Sequence, residues 1–153
     1  MSLQERLYED MKKALKEREA GKLQLSVIRM ARSAIKNRSI ELGRELTDED
    51  VIEVLAKEVK MRREALAEYR RAGRQEAVAE LEAEIAILEK YLPRQLDRNE
   101  IVQMAREAIA ATGAQSERDL GKVMGVLMPK LKGRADGKLV NEVVREILKD
   151  GQR

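Results

Sequence analysis

Cysteine, histidine, tryptophan and phenylalanine do not occur in this chain of 153 residues, which holds only two prolines and three tyrosines. Without cysteine there is neither a disulfide nor a thiolate metal ligand. Without histidine or cysteine there is no Ser-His or Cys-His dyad and no imidazole base. A glutaminase built on a cysteine nucleophile is therefore excluded. The phosphate-loop pattern G-x-x-x-x-G-K-[ST] and the dinucleotide pattern G-x-G-x-x-G are also missing. No apolar run approaches the roughly 18–20 residues of a membrane span. The first residues, Met-Ser-Leu-Gln-Glu-Arg, lack the apolar stretch of a secretory signal. A soluble, cytoplasmic protein is the expectation, with no metal, no cofactor and no nominated catalytic residue.

What the chain does contain favours helix. Charged residues make up 39% and hydrophobic ones 43%, and Ala, Leu, Glu, Lys and Arg, all good helix formers, dominate. Ser2 and Glu5 form a capping box, and Leu3, Leu7, Met11 and Leu15 set a first helix to about Ala20, ended by Gly21. A second helix covers Lys22 to Leu42, with Leu23, Val27, Ile28, Ala31, Ala34 and Ile35 inward and Gly43 as its stop. A third opens at Thr47, where Asp48, Glu49 and Asp50 suit the positive end of the helix dipole. Its apolar stripe is Val51, Leu55, Val59, Leu66 and Tyr69. Glu58 and Arg62 lie i, i+4 on it, a pair worth roughly 0.3–0.5 kcal/mol on an exposed face. Gly73 separates a fourth helix, Arg74 to Tyr91, whose Val78, Leu81, Ile85, Leu88 and Leu92 form a heptad-like seam. That seam suits packing within the chain's own bundle or a short dimeric coiled coil.

Pro93 pushes Leu92 away from helical torsions and is the candidate boundary. The first 90 residues carry 19 cationic and 19 anionic side chains, so the whole net charge of +3 lies beyond them. Asp97 and Glu100 open a fifth helix through Ile101, Met104, Ala105, Ala108 and Ile109, closed by Gly113. Two amphipathic helices follow, capped by Ser116 and Asp136. The expected fold is all-α: an N-terminal bundle of about four helices (1–92) joined at a Pro93 hinge to a C-terminal three-helix domain (94–150).

The last helix pair carries the most chemistry. Lys122, Lys130, Lys132, Arg134 and Lys138 crowd it, and a cationic corner of this kind suits a phosphate backbone. Gly121 and Gly125 allow either close helix packing or close approach of a nucleic-acid backbone beside Lys122. Gly133 and Gly137 allow either a turn with positive φ or a phosphate nest. Asp136 would compete for the same N–H groups, so a phosphate belongs beside that cap. Pro129 lacks an N–H and its ring opposes the Gly125 carbonyl, at a cost of about 3 kcal/mol in a helix interior. The sixth helix should therefore stop or kink between Gly125 and Pro129. A second basic face, Arg29, Arg32 and Lys36, reads either as solvated surface or as a docking face for phosphate or an acidic protein.

The segments Leu-Ser-Val-Ile-Arg-Met-Ala-Arg-Ser-Ala-Ile-Lys (25–36), the stretch around Tyr91-Leu92-Pro93, and Gly-Lys-Val-Met-Gly followed by Gly-Arg-Ala-Asp-Gly resemble the YqeY family over nearly the full length. These are stand-alone relatives of the tail region of the aspartyl/glutamyl-tRNA amidotransferase B subunit. Glu76-Ala77 and Met128-Pro129 depart from the usual pattern. The resemblance implies two helical modules and descent from a part that holds tRNA. It also carries a label of carbon–nitrogen ligase with glutamine as amide donor, for which this chain lacks the apparatus. Scarce aromatics disfavour base stacking and point to structured RNA held by shape and backbone. The expected function is a non-catalytic adaptor for tRNA or other structured RNA. Second comes an accessory subunit docking on an amidotransferase or synthetase, and third the ligase activity itself.

Overall fold

The computed structural model describes residues 1–151. Among them are seven α-helices and no strand: α1 Leu3–Lys16, α2 Lys22–Leu42, α3 Asp48–Arg71, α4 Gln75–Glu89, α5 Arg98–Thr112, α6 Leu120–Leu131 and α7 Gly137–Asp150. The chain packs as two compact units, Met1–Pro93 and the residues from Arg94 onward.

In the first unit, Leu7, Val27, Ile28, Val51, Leu55 and Leu88 are buried in one core supplied by α1 to α4. The seam of α4 is used here: Ile85 and Leu88 are buried, and Val78, Leu81 and Leu92 pack against the same core. Leu15, expected on the inner stripe, is 56% exposed, and Tyr69 is only half-buried, with the Arg74 guanidinium over its ring.

Two helix ends differ from expectation. The first helix stops at Lys16, and a 3-10 turn spans Arg18–Gly21. Gly21 is buried directly against the Ala14 backbone, so the chain tightens where α1 and α2 meet. The fourth helix stops at Glu89, before Tyr91. Tyr91 turns inward, is 4% exposed, and donates its hydroxyl proton to the Asp10 carboxylate. The Tyr91 and Leu92 N–H groups bond to carbonyls three residues back, those of Leu88 and Glu89, so the chain tightens ahead of Pro93.

Arg62 corrects the surface-pair expectation. It is buried, with its guanidinium 2.9 Å from Glu58 and 3.2 Å from Glu84 of α4. It also donates to the Glu58 carbonyl at 3.1 Å. The pair is thus one edge of a three-residue cluster tying α3 to α4.

The second unit has its own core: Ile101 and Ala105 of α5, Val123, Leu127 and Leu131 of α6, and Val140, Val143, Val144 and Leu148 of α7. Asp97 caps α5 by accepting from the Glu100 N–H at 2.8 Å, while Arg94 holds the Glu100 carboxylate through two bonds of 2.9 and 2.8 Å.

Candidate nucleic-acid interface

The basic corner is built from the end of α5 onward. Ser116 caps a 3-10 turn, Glu117–Asp119, rather than α6 directly. Asp119 reaches back to the Gln115 and Ser116 N–H groups at 2.9 and 3.4 Å. Those donors, Gln115 first, hold its carboxyl below the ordinary range, with the nearby Lys122 charge adding to the effect. The signal for this arrangement is the Ser116-x-x-Asp119 spacing, a capping box with Asp in the place of Glu.

α6 runs through Pro129 to Leu131, so the expected stop between Gly125 and Pro129 does not occur. Val123, Leu127 and Leu131 repeat every four residues and are almost fully buried. Helical phase must persist past the proline for Leu131 to reach the core. The missing N–H falls in the last turn, where little helix remains to be disrupted. The helix ends instead at Lys132, whose ψ of 122° is extended.

The outer side of α6 carries Gly121, Lys122, Gly125, Val126, Pro129 and Lys130, all exposed or half-exposed. At 3.6 residues per turn these span an arc of about 180°. A Cβ added to Gly121 or Gly125 would meet nothing within 4 Å. Close packing within the chain therefore does not explain these glycines, and their backbone lies open.

The turn after α6 is held from outside the helix pair. Gly133 has φ 75°, the left-handed region that glycine adopts without a Cβ penalty. Its carbonyl accepts from Gln95 Nε2 at 2.7 Å, and the next carbonyl, of Arg134, accepts from the Leu96 N–H at 2.9 Å. No sequence signal marks this clamp, because it joins residues distant along the chain. Gly137 is the first residue of α7 and does not have positive φ. Asp136 caps that helix by accepting from the Lys138 N–H at 3.2 Å, so the cap is filled by the chain's own carboxylate.

Lys130, Lys132, Arg134 and Lys138 flank this clamped turn, while Lys122 stands about 12 Å up the axis of α6 from Lys130. Four of the five cations are exposed and Arg134 is half-buried. Among the described residues Lys130, Arg134 and Lys138 form no ion pair. Arg29, Arg32 and Lys36 lie in the other unit, along one groove between α1 and α2. Among the described residues no cluster of three or more His, Cys, Asp or Glu could hold a metal ion, and no helix is long and apolar enough to cross a membrane.

Two all-helical units, the second with a basic helix–turn–helix edge, define the class. The chain belongs to the family described as Yqey-like protein, whose model matches residues 4–148. It is 29% identical over 147 residues to "Altered inheritance of mitochondria protein 41, mitochondrial" of Pyrenophora tritici-repentis, covering 94% of this chain and 79% of that protein. It is also similar to two archaeal subunits of glutamyl-tRNA(Gln) amidotransferase, 41% identical over 69 residues to that of Aeropyrum pernix and 40% over 73 to that of Thermococcus gammatolerans. Those matches cover 40% and 48% of this chain, but 11% of each archaeal protein.

Proposed function

We propose that the protein is a cytoplasmic, non-catalytic adaptor that holds structured RNA, foremost tRNA, on the α6–turn–α7 edge. The observation that carries this reading is the set of cations around the clamped turn, with Lys130, Arg134 and Lys138 lacking a carboxylate partner among the described residues. The open backbone of Gly121 and Gly125 beside Lys122 supports it, since a phosphodiester chain can approach there without displacing a side chain. Likeness to part of a protein named for a tRNA-dependent amidotransferase supports tRNA as the RNA class.

Filter binding of the purified chain to tRNA across a salt series tests the proposal. Affinity should fall steeply with salt, as phosphate binding releases counterions. Lys130→Ala with Lys138→Ala should weaken binding and reduce the salt slope by about one for each phosphate no longer neutralised, with thermal stability unchanged. No binding at low salt would remove the reading.

The second reading is an accessory subunit docking on an amidotransferase or synthetase. It is favoured by the small share of the larger archaeal proteins that this chain matches, as a detached module would show. A partner captured from nuclease-treated lysate, and absent with a Gly125→Leu variant, would select it. Ligase activity ranks third. Glutamine-dependent amidation of mischarged tRNA by the chain alone would establish it over the adaptor reading.

A further inference from the structure

We propose that the groove between α1 and α2 in the first unit docks an acidic, amphipathic helical segment of a partner protein. The groove is open to solvent, has a volume of about 1010 Å³ and is walled by Arg29, Arg32 and Lys36; half-buried Met11 and exposed Ile40 are its accessible apolar lining, over a floor of buried Leu7 and Ile35. The proposal stands apart from the RNA reading, which concerns the other unit.

These three cations differ from the ion-paired arginines of the unit. Arg38, Arg44, Arg63 and Arg70 each hold a carboxylate: Glu41, Asp50, Glu89 and Glu82. Among the described residues Arg29 and Lys36 hold none. Arg32 rests instead on the Met11 sulfur, 3.1 Å away, and on the Tyr8 ring at 5.1 Å. The groove therefore presents three cations outside any ion pair among the described residues, against two carboxylates, Glu5 and Glu45, in its lining.

Its shape and lining select the occupant. A single phosphate would leave most of the volume empty, and a phosphodiester backbone would waste the apolar lining. An amphipathic helix uses both, by laying an apolar stripe into the groove and an acidic edge against its wall. Ile40, 69% exposed at the rim, and the adaptable Met11 extend the apolar surface. Arg29 and Lys36 stand about 10 Å apart along α2, the rise of two helical turns. Carboxylates two turns apart on the partner would meet both. Glu5 and Glu45 line the same groove, near where the α1 N-terminus meets the loop before α3, as the Gln4 bond to the Leu46 carbonyl shows. The partner should thus be directional, with its acidic end toward Arg29 and Arg32.

The test uses the full chain and a synthetic helical peptide of about 14 residues, four turns. One face carries Leu at i, i+3, i+4 and i+7, flanked by Glu; a control has every Glu replaced by Gln. Calorimetric titration should show saturable, salt-sensitive binding of the Glu peptide. The Gln peptide should bind at least about tenfold more weakly, as should the Glu peptide to the Arg29→Ala/Arg32→Ala/Lys36→Ala variant. All three sites are exposed, so that variant should keep its circular dichroism, with Tm lowered only slightly by loss of the Arg32 contacts to Met11 and Tyr8. Lys130→Ala/Lys138→Ala should leave peptide affinity unchanged. Equal peptide binding by the triple variant, or no saturable binding at low salt, would overturn the proposal. Loss of tRNA binding in the triple variant, with peptide binding retained, would make the groove a nucleic-acid surface. A change in self-association on sedimentation would make its occupant a second copy of the chain. Either outcome refutes an acidic partner segment.

Discussion

A Cβ placed on Gly21 would lie 2.2 Å from the carbonyl oxygen of Ala14 and 2.8 Å from its carbonyl carbon. The clash is with backbone, which cannot rotate away as a side chain could. It occurs where α1 hands over to α2, the pair that walls the basic groove.

Gly21→Ala should therefore destabilise the first unit, by about 1–3 kcal/mol or more if the helices cannot separate. Gly125→Ala is the contrasting case. Its site is open and helical, so alanine should raise stability by about 1 kcal/mol. Urea unfolding of the two variants should move in opposite directions. A neutral Gly21→Ala would mean that the backbone there relaxes freely. If RNA approaches the α6 backbone, Gly125→Ala should also weaken tRNA binding while gaining stability.

Arg62 is a buried charge in the first unit, 7% exposed and flanked by two carboxylates. Arg62→Ala removes the cation and leaves Glu58 and Glu84 facing each other in a largely dry site. The expected loss is about 3–5 kcal/mol. Adding Glu84→Gln should recover part of it, and double-mutant analysis by urea unfolding measures that coupling. A loss comparable to an exposed pair would show that the carboxylates find water.

Tyr91 sets an alkaline prediction. Burial pushes its hydroxyl well above the ordinary tyrosine range, the bond to Asp10 adds to the rise, and the Arg6 guanidinium opposes it. The folded state thus holds the proton more tightly than the unfolded state does. This contribution is complete below the unfolded value, about 10, and is lost as pH climbs from there toward the folded value. Ultraviolet titration should find one tyrosine that ionises only as the protein unfolds. In Tyr91→Phe that late ionisation should vanish, and stability should fall less between neutral and alkaline pH than in the parent. Ordinary titration of all three tyrosines in the folded protein would contradict the buried hydroxyl.

The connection after Pro93 makes a mechanical prediction. Both arginines are exposed and ion-paired, Arg94 with Glu100 and Arg98 with Glu146, but Arg94 lies outside any helix whereas Arg98 begins α5. Trypsin at low dose should cut after Arg94 before Arg98. If each unit folds alone, both fragments should remain helical by circular dichroism. Cleavage within α3 or α6 first would argue against a separable connection.

Much of this architecture was legible because helices are local. Ser2, Thr47 and Asp97 accept from their own first turns, and Gly43 and Gly113 close α2 and α5, all within a few residues of sequence. The apolar steps of three and four residues in α2 and α5 read correctly for the same reason. The exposed cations could likewise be picked out by type and helical spacing.

What tertiary structure alone decided are interactions between residues far apart in the chain. By sequence Arg62 is half of an i, i+4 surface pair; α4 brings Glu84 against it and buries it. Tyr91 lies just past the end of α4, and Asp10, distant in sequence, accepts its hydrogen bond. Pro129 should end or kink α6 on local grounds, yet the helix continues two residues further and Leu131 is buried in the core of the second unit. The Gln95 and Leu96 bonds to the Gly133 turn, and the volume that gathers Arg29, Arg32 and Lys36 into one groove, arise in the same way. Local sequence specifies which torsions a segment prefers. The packing of one segment on another specifies which charge is buried, which backbone stays open, and which cations are left without an anion.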